Sequence, residues 1–137
     1  MLQFSDWFSR EYKQWCQSQP SEEDFLAFCE LLGYSPSIIL SWLQGDSIPQ
    51  NAELLSIAGV LGTEVYSLLG QPEPDPELLK IYNSFTHLTG DYRKNLSLAL
   101  YEVELRLKDK KLSLQSIKAR EIFDYVFSKY GLTDLKQ

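Results

Sequence analysis

An all-α fold is what this sequence predicts, and three observations carry the prediction. Apolar residues recur at steps of three and four, the period that lays a stripe along one side of an α-helix. Glycine, proline and small polar residues stand where helices stop and start. No stretch alternates apolar and polar residues between hairpin turns, so no strand is expected. The 137 residues are 44% hydrophobic, enough to pack a core within one ordinary domain or two very small ones.

The elements follow in order. Phe4, Trp7, Phe8, Tyr12, Trp15 and Cys16 make the stripe of a first helix, stopped by Gln19-Pro20. Ser21, with Asp24 three residues on, reads as the cap of a second helix that presents Phe25, Phe28, Cys29 and Leu32 and stops at Gly33. Ser35-Pro36 is a cap followed by proline in the first helical position. The third helix buries Ile39, Trp42 and Leu43 and ends at Gly45. After the loop Asp46-Ser47-Ile48-Pro49, a fourth helix carries Leu54, Leu55, Ile57, Ala58 and Leu61 up to Gly62. Thr63 caps a short fifth helix with Val65, Tyr66, Leu68 and Leu69.

Residues 71–76, holding Pro72, Pro74 and Pro76, read as a stiff, proline-rich linker. Asp75 caps the next helix, with Pro76 at its first position and Leu78, Leu79, Tyr82 and Phe85 along one side; Thr89-Gly90 breaks it. A longer helix runs from about Asp91 to Lys108. One of its faces carries Leu96, Leu100, Val103 and Leu107, and a second carries Leu98, Tyr101 and Leu105. A last helix is lined by Ile122, Phe123, Val126, Phe127 and Tyr130 and closed by Gly131. The expected organisation is a helical domain over 1–70, the linker 71–76, and a C-terminal helical region over 77–137 for packing or dimerisation.

Composition excludes several classes. Two cysteines, Cys16 and Cys29, do not make a disulfide framework or a metal-ligand spacing. Both lie on apolar stripes, where a thiol is core rather than nucleophile. His87 is the single histidine and reads as an exposed polar residue. No phosphate loop, metal cluster or catalytic triad motif is present, so no enzyme and no cofactor is expected. The N-terminus lacks the pattern of a signal peptide and no apolar run is long enough to span a bilayer, which makes a cytoplasmic protein the expectation.

Charge is unevenly spread. Residues 1–70 contain two bases, Arg10 and Lys13, against nine acids, a net of −7, while residues 71–137 carry eleven bases and ten acids. A front half of that sign is a poor natural partner for a polyanion. Lys108, Lys110, Lys111, Lys118 and Arg120 cluster in the back half, interrupted by Asp109, Glu121 and Asp124. They read as a solvated helix end that also complements the helix dipole, although their charge would suit the acidic front half, within the molecule or between subunits.

The run Phe28-Cys29-Glu30-Leu31-Leu32-Gly33-Tyr34-Ser35 is followed by Ile39, by Trp42-Leu43-Gln44-Gly45, by Pro49 and by Leu54 to Gly62. In this pattern Cys29 is the small residue at a close helix crossing, Gly33 makes the tight turn, Ser35 caps the third helix, and Ile39 and Trp42 plug it into the core. The pattern resembles the lambda-repressor-like (XRE) family of helix-turn-helix proteins over about Phe4 to Leu69, and more weakly over Pro74 to Leu79. The resemblance implies a five-helix lambda-repressor-like helix-turn-helix module plus C-terminal helices. It also implies a transcription regulator that binds DNA through the third helix, with Ser35, Pro36, Ser37, Ser41 and Gln44 at the DNA.

The residues themselves leave a second expectation open. Base readout draws on Arg, Lys, Gln and Asn, and Gln44 is the one such residue on the third helix. Ile38 and Leu40, flanked by Ser37 and Ser41, suit a protein partner instead, which would make the chain a protein–protein adaptor. The second apolar face, Leu98 with Tyr101 and Leu105, needs a cover. Phe123 and Phe127 could supply it within the chain; otherwise a homodimer through the C-terminal helices would.

Overall fold

The computed structural model describes residues 3–18, 24–85 and 87–132. These form eight α-helices and no strand: α1 (Phe4–Gln17), α2 (Asp24–Leu32), α3 (Pro36–Gln44), α4 (Ala52–Leu61), α5 (Glu64–Leu68), α6 (Pro76–Ser84), α7 (Gly90–Lys110) and α8 (Ile117–Lys129). The expected stop at Gln19-Pro20 and cap at Ser21 lie outside the described residues.

Local sequence chemistry sets most of the boundaries. Ser35 accepts a hydrogen bond from the Ile38 backbone N–H at 3.4 Å, with Pro36 next in the chain. Asp75 accepts from the Glu77 N–H at 2.9 Å, again with proline following. Ser116 caps α8 in the same way, accepting from Ala119 N–H at 3.1 Å. Gly33 and Gly45 end α2 and α3 in the left-handed region, at φ of 87° and 79°. Removing a cap acceptor typically costs about 1 kcal/mol. Asp75→Ala is therefore expected to lower stability by that amount in urea unfolding, whereas Thr63→Ala leaves it unchanged, because the Thr63 hydroxyl makes no cap bond. That is one correction to the sequence reading. A second is that α6 ends at Ser84, so Phe85 sits beyond its last turn, where its backbone N–H still bonds to Tyr82 O.

The first core lies among α1 to α5. Trp42 and Phe8 meet edge to face with ring centres 5.8 Å apart, Phe4 stacks on Phe8 at 5.2 Å, and Tyr12 and Trp15 close on Phe28 at 4.9 and 5.2 Å. Each such pair adds about 0.5–1.5 kcal/mol beyond its buried area. The aromatic stripe of α1 thus pins α2 and α3 to one another. A second core lies among α6, α7 and α8, built from Leu78, Tyr82, Leu96, Leu100, Val103 and Phe127 with others.

The two cores share α4. Leu54, Ile57 and Ala58 face the first, whereas Leu55 belongs to the second. A helix apolar on all sides is one buried on all sides, and α4 is packed by α5, α6 and α7 together. Gly59 permits this: a Cβ there would stand 2.3 Å from the Tyr82 ring. Residues 71–75 have no regular secondary structure, with Pro74 buried, and Pro76 opens α6.

Different faces of α7 meet different neighbours. Towards the front half, Tyr34 and Ser97 share a hydrogen bond of 3.0 Å and the Tyr101 hydroxyl donates to Asn51 Oδ1 at 3.0 Å. Towards α8, Glu102 accepts from Lys129 Nζ at 2.9 Å, Tyr130 Oη at 2.9 Å and Arg106 Nε at 2.8 Å. Of the second apolar face, Tyr101 is half-buried against the second core, which Phe127 belongs to and Phe123 packs on. Tyr101 turns to α4, Phe127 packs against Phe85, and Leu105 stays 47% exposed beside Pro72 and Pro74.

The donors around Glu102, led by the Lys129 ammonium, hold its carboxyl down at about 2 from an ordinary 4.5. A depressed folded-state value contributes stability that is complete above the unfolded-state value and disappears as pH falls towards the folded one. Wild type is expected to lose stability between about pH 4.5 and 2, and Glu102→Gln to flatten that part of the curve. An unchanged slope in acid would show that Glu102 does not clamp α7 to α8.

Candidate helix-turn-helix interface

The segment α2–Gly33-Tyr34-Ser35–α3 turns the chain direction by 102°. Tyr34 is buried against Trp42, with ring centres 5.8 Å apart. Burial pushes its phenol up to about 12, so it remains a neutral hydrogen-bonding group beside Ser97. Ile39 and Trp42 are almost fully buried, at 0% and 1% exposure, and lock the inner side of α3.

The outer side of α3 is open. Ser35, Pro36, Ser37, Leu40 and Gln44 are exposed, while Ile38 and Ser41 are half-buried. Five of these residues are thus open to solvent and two only partly so, and Ser35, Ser37, Ile38 and Ser41 are engaged within the molecule. Ile38 packs against the edge of the first core, which limits it as an anchor for a partner. The Ser41 hydroxyl is engaged with Ser47, which ties the end of α3 to the loop behind it. The Ser35 hydroxyl is committed to its cap and to Ser37 Oγ at 3.2 Å.

Residues far along the chain complete the surroundings. A cleft of about 310 Å³ lies at the N-terminal end of α3, between Leu26 and Glu30 of α2, Ile38 of α3, and Gly90, Asp91 and Lys94 of α7. Lys94 is its one cation among the described residues, 6.0 Å from the centre of the Tyr34 ring. Gly90 takes a left-handed φ of 59°, and the movable end of the Glu30 side chain lies beside it. Leu26 on α2, Leu40 on α3 and Ile48 in the following loop are 61%, 44% and 55% exposed. Leu26, Glu30, Asp91 and Lys94 were not legible as a group, because only the docking of α7 onto α2 brings them together.

The basic cluster is elsewhere. α7 begins beside the N-terminal end of α3 and is 21 residues long, so at about 1.5 Å per residue its lysine-bearing end is roughly 30 Å from that point. There Arg106 and Lys110 of α7 meet Lys118 of α8. Among the described residues, the cationic groove of the back half is lined by α7, α8 and the turn between them and by no residue of α3. Glu30, Asp46 and Asp91 set the sign of its surroundings, with Lys94 opposing them.

Cys29 is buried, which pushes its thiol up to about 11 and leaves it protonated at neutral pH. His87 is exposed in a turn beside Phe85. Among the described residues no group of three or more His, Cys, Asp or Glu is placed to hold a metal ion, and no single helix is long and apolar enough to cross a membrane. No family model, curated protein or solved structure matches the chain.

Proposed function

We propose that this chain is a regulatory protein of the helix-turn-helix, transcription-regulator class, and that it binds duplex DNA through the exposed side of α3. The observation that carries this is the unit Asp24–Leu32, Gly33-Tyr34-Ser35, Pro36–Gln44: two helices at 102° about a three-residue turn that contains a left-handed glycine. Helix-turn-helix units join their helices at about 90–120° through such turns and lay the second helix in the major groove. Here the first helix pins the second from within and its outer side faces solvent. The resemblance to the lambda-repressor-like family, carried by Gly33, Ser35, Ile39, Trp42 and Gly45, points to the same use.

On this reading Gln44 and the Ser37 hydroxyl reach base edges, with Pro36 and Ser41 beside them. The α3 N-terminus, capped by Ser35, offers backbone N–H groups to a phosphate, and Lys94 is the ammonium nearest to it. With so few cations the binding draws little on counterion release. The slope of log K against log salt is near −0.9 per phosphate neutralised, so a value no steeper than about −2 is expected, far from the roughly −5 to −9 of a site with six to ten contacts.

The test is retention of mixed-sequence genomic duplex fragments between about 50 and 200 mM salt. Wild type should retain them with that shallow slope, and Ser37→Glu with Gln44→Glu should lose retention while staying folded. Failure to retain any fragment at the low-salt end would overturn DNA binding.

A protein target is the second reading, favoured by the exposed Leu26, Leu40 and Ile48 around an α3 that lacks cations. Large apolar residues framed by small polar ones suit the centre of a protein interface. It predicts no retained DNA, and a bound protein that Leu40→Glu releases.

A further inference from the structure

Between the last two turns of α7 and the first two of α8 lies a groove of about 490 Å³. Its floor is apolar, made by Leu112, Ile122 and the ring of Tyr125. Its rim is cationic, made by Arg106, Lys110 and Lys118, with Glu121 the single acid. Arg106 is held in place: its guanidinium bonds to Glu102 at 2.8 Å and lies 5.0 Å over the Tyr125 ring. Lys110 and Lys118 have no carboxylate within ion-pair distance among the described residues. Ile117, 86% exposed, and Tyr125, 58% exposed, extend the apolar surface on either side.

An apolar floor with a basic rim fits an acidic partner that also offers an apolar side chain. Nucleic acid fits less well, because Asp109, Glu121 and Asp124 stand among the same lysines. The chain itself holds the complement. Its front half carries −7, and α3 with its following loop exposes Leu40, Asp46 and Ile48, gathered by the contact between Ser41 and Ser47. That strip takes no part in lining the groove of its own molecule, which is built by α7, α8 and the turn between them.

We propose that this groove receives the Leu40–Asp46–Ile48 strip of a second copy of the chain, so that copies associate head to tail. A contact between two different patches does not close on itself as a two-fold dimer does, and it grows with concentration. Lys110 and Lys118 would face the partner copy's acidic loop, and its apolar side chains would cover Ile122 and Tyr125. The contact also covers the C-terminal end of the α3 surface, so it excludes a target bound there. That consequence rests on the function proposed above, whereas the association itself does not.

Sedimentation velocity tests it. At low salt the average mass of wild type should rise above the 15.8 kDa of one chain as concentration increases through the micromolar range, and return to that value in about 1 M salt, where the screening length is near 3 Å. Lys110→Glu with Lys118→Glu should weaken association at least tenfold, and so should Asp46→Lys. Mixing the two variants should restore concentration-dependent association, with the variants alternating, because each groove then meets a strip of opposite charge on the other variant. All these positions are exposed, and circular dichroism would verify that each variant is folded. A wild type that remains monomeric throughout, or association that survives both charge reversals, overturns the proposal. DNA retention by a monomeric wild type would leave the α3 reading intact while removing this one.

Discussion

Replacing Gly33 with alanine is expected to cost about 3 kcal/mol of stability. Two terms add. A left-handed backbone, here φ 87°, is unfavourable by about 1–2 kcal/mol for a residue with a Cβ. The new Cβ would also lie 2.6 Å from the backbone nitrogen of Lys94 and 3.0 Å from the carbonyl carbon of Arg93. Backbone on a 21-residue helix cannot step aside as a side chain would, and overpacking of this kind costs about 1–3 kcal/mol. Gly45→Ala is the control. It has nearly the same φ, 79°, but its nearest neighbour is the Ser5 hydroxyl at 3.3 Å, so only the backbone term of about 1 kcal/mol applies. In thermal unfolding Gly33→Ala should lose roughly 10 °C and Gly45→Ala about a third of that. Equal losses would mean that α7 does not press on the turn between α2 and α3.

Truncating Arg93 should be nearly as damaging. This residue is 3% exposed, and no carboxylate lies within ion-pair distance of it among the described residues. Its guanidinium donates from Nε to the Tyr82 hydroxyl at 3.0 Å and from Nη1 to the Phe85 carbonyl at 2.9 Å, and it stacks 4.2 Å over the Tyr82 ring. The carbonyl lies just past the end of α6, so one side chain of α7 closes off the neighbouring helix. Arg93→Ala removes both bonds, leaves Tyr82 and Phe85 with unmet polar atoms, and opens a hole; each unmet buried group costs about 1–3 kcal/mol. A total loss of about 3 kcal/mol is expected from urea unfolding. Arg93→Met fills the space without the bonds and should recover roughly half, since an apolar residue of similar volume often replaces a buried charge at little cost. If alanine is tolerated within about 0.5 kcal/mol, the Arg93–Tyr82 contact is incidental to the fold.

Both effects sit where α7 meets the rest of the chain, which is the part least legible in the sequence. The helices themselves announced their ends: Ser35-Pro36 and Asp75-Pro76 start α3 and α6, and Gly33, Gly45 and Gly62 follow α2, α3 and α4. Stripes of period 3.6 located Phe8, Trp42, Leu55, Leu96 and Leu100, all now in one of two cores. Periodicity says which side of a helix is buried, not against what. Thus Gly33 reads as a turn glycine, yet the approach of α7 excludes a Cβ there as firmly as the turn does. Arg93 and Ser97 look like surface residues of a charged helix and are buried, because polar partners wait for them on α6 and in the turn before α3. Asn51, at φ 57° with its side chain bound to Tyr101, carried no local signal at all. The candidate surface was legible by position on α3, but the neighbours that set its charge come from α2 and α7.

In the proposed function α3 is the surface that meets the target. Backbone amide shifts recorded by NMR while short duplex DNA is added in about 50 mM salt test this most directly. The largest changes should fall between Ser35 and Gln44, with Lys94 alongside. Changes confined to Lys108–Arg120, or none at saturating duplex, would contradict it.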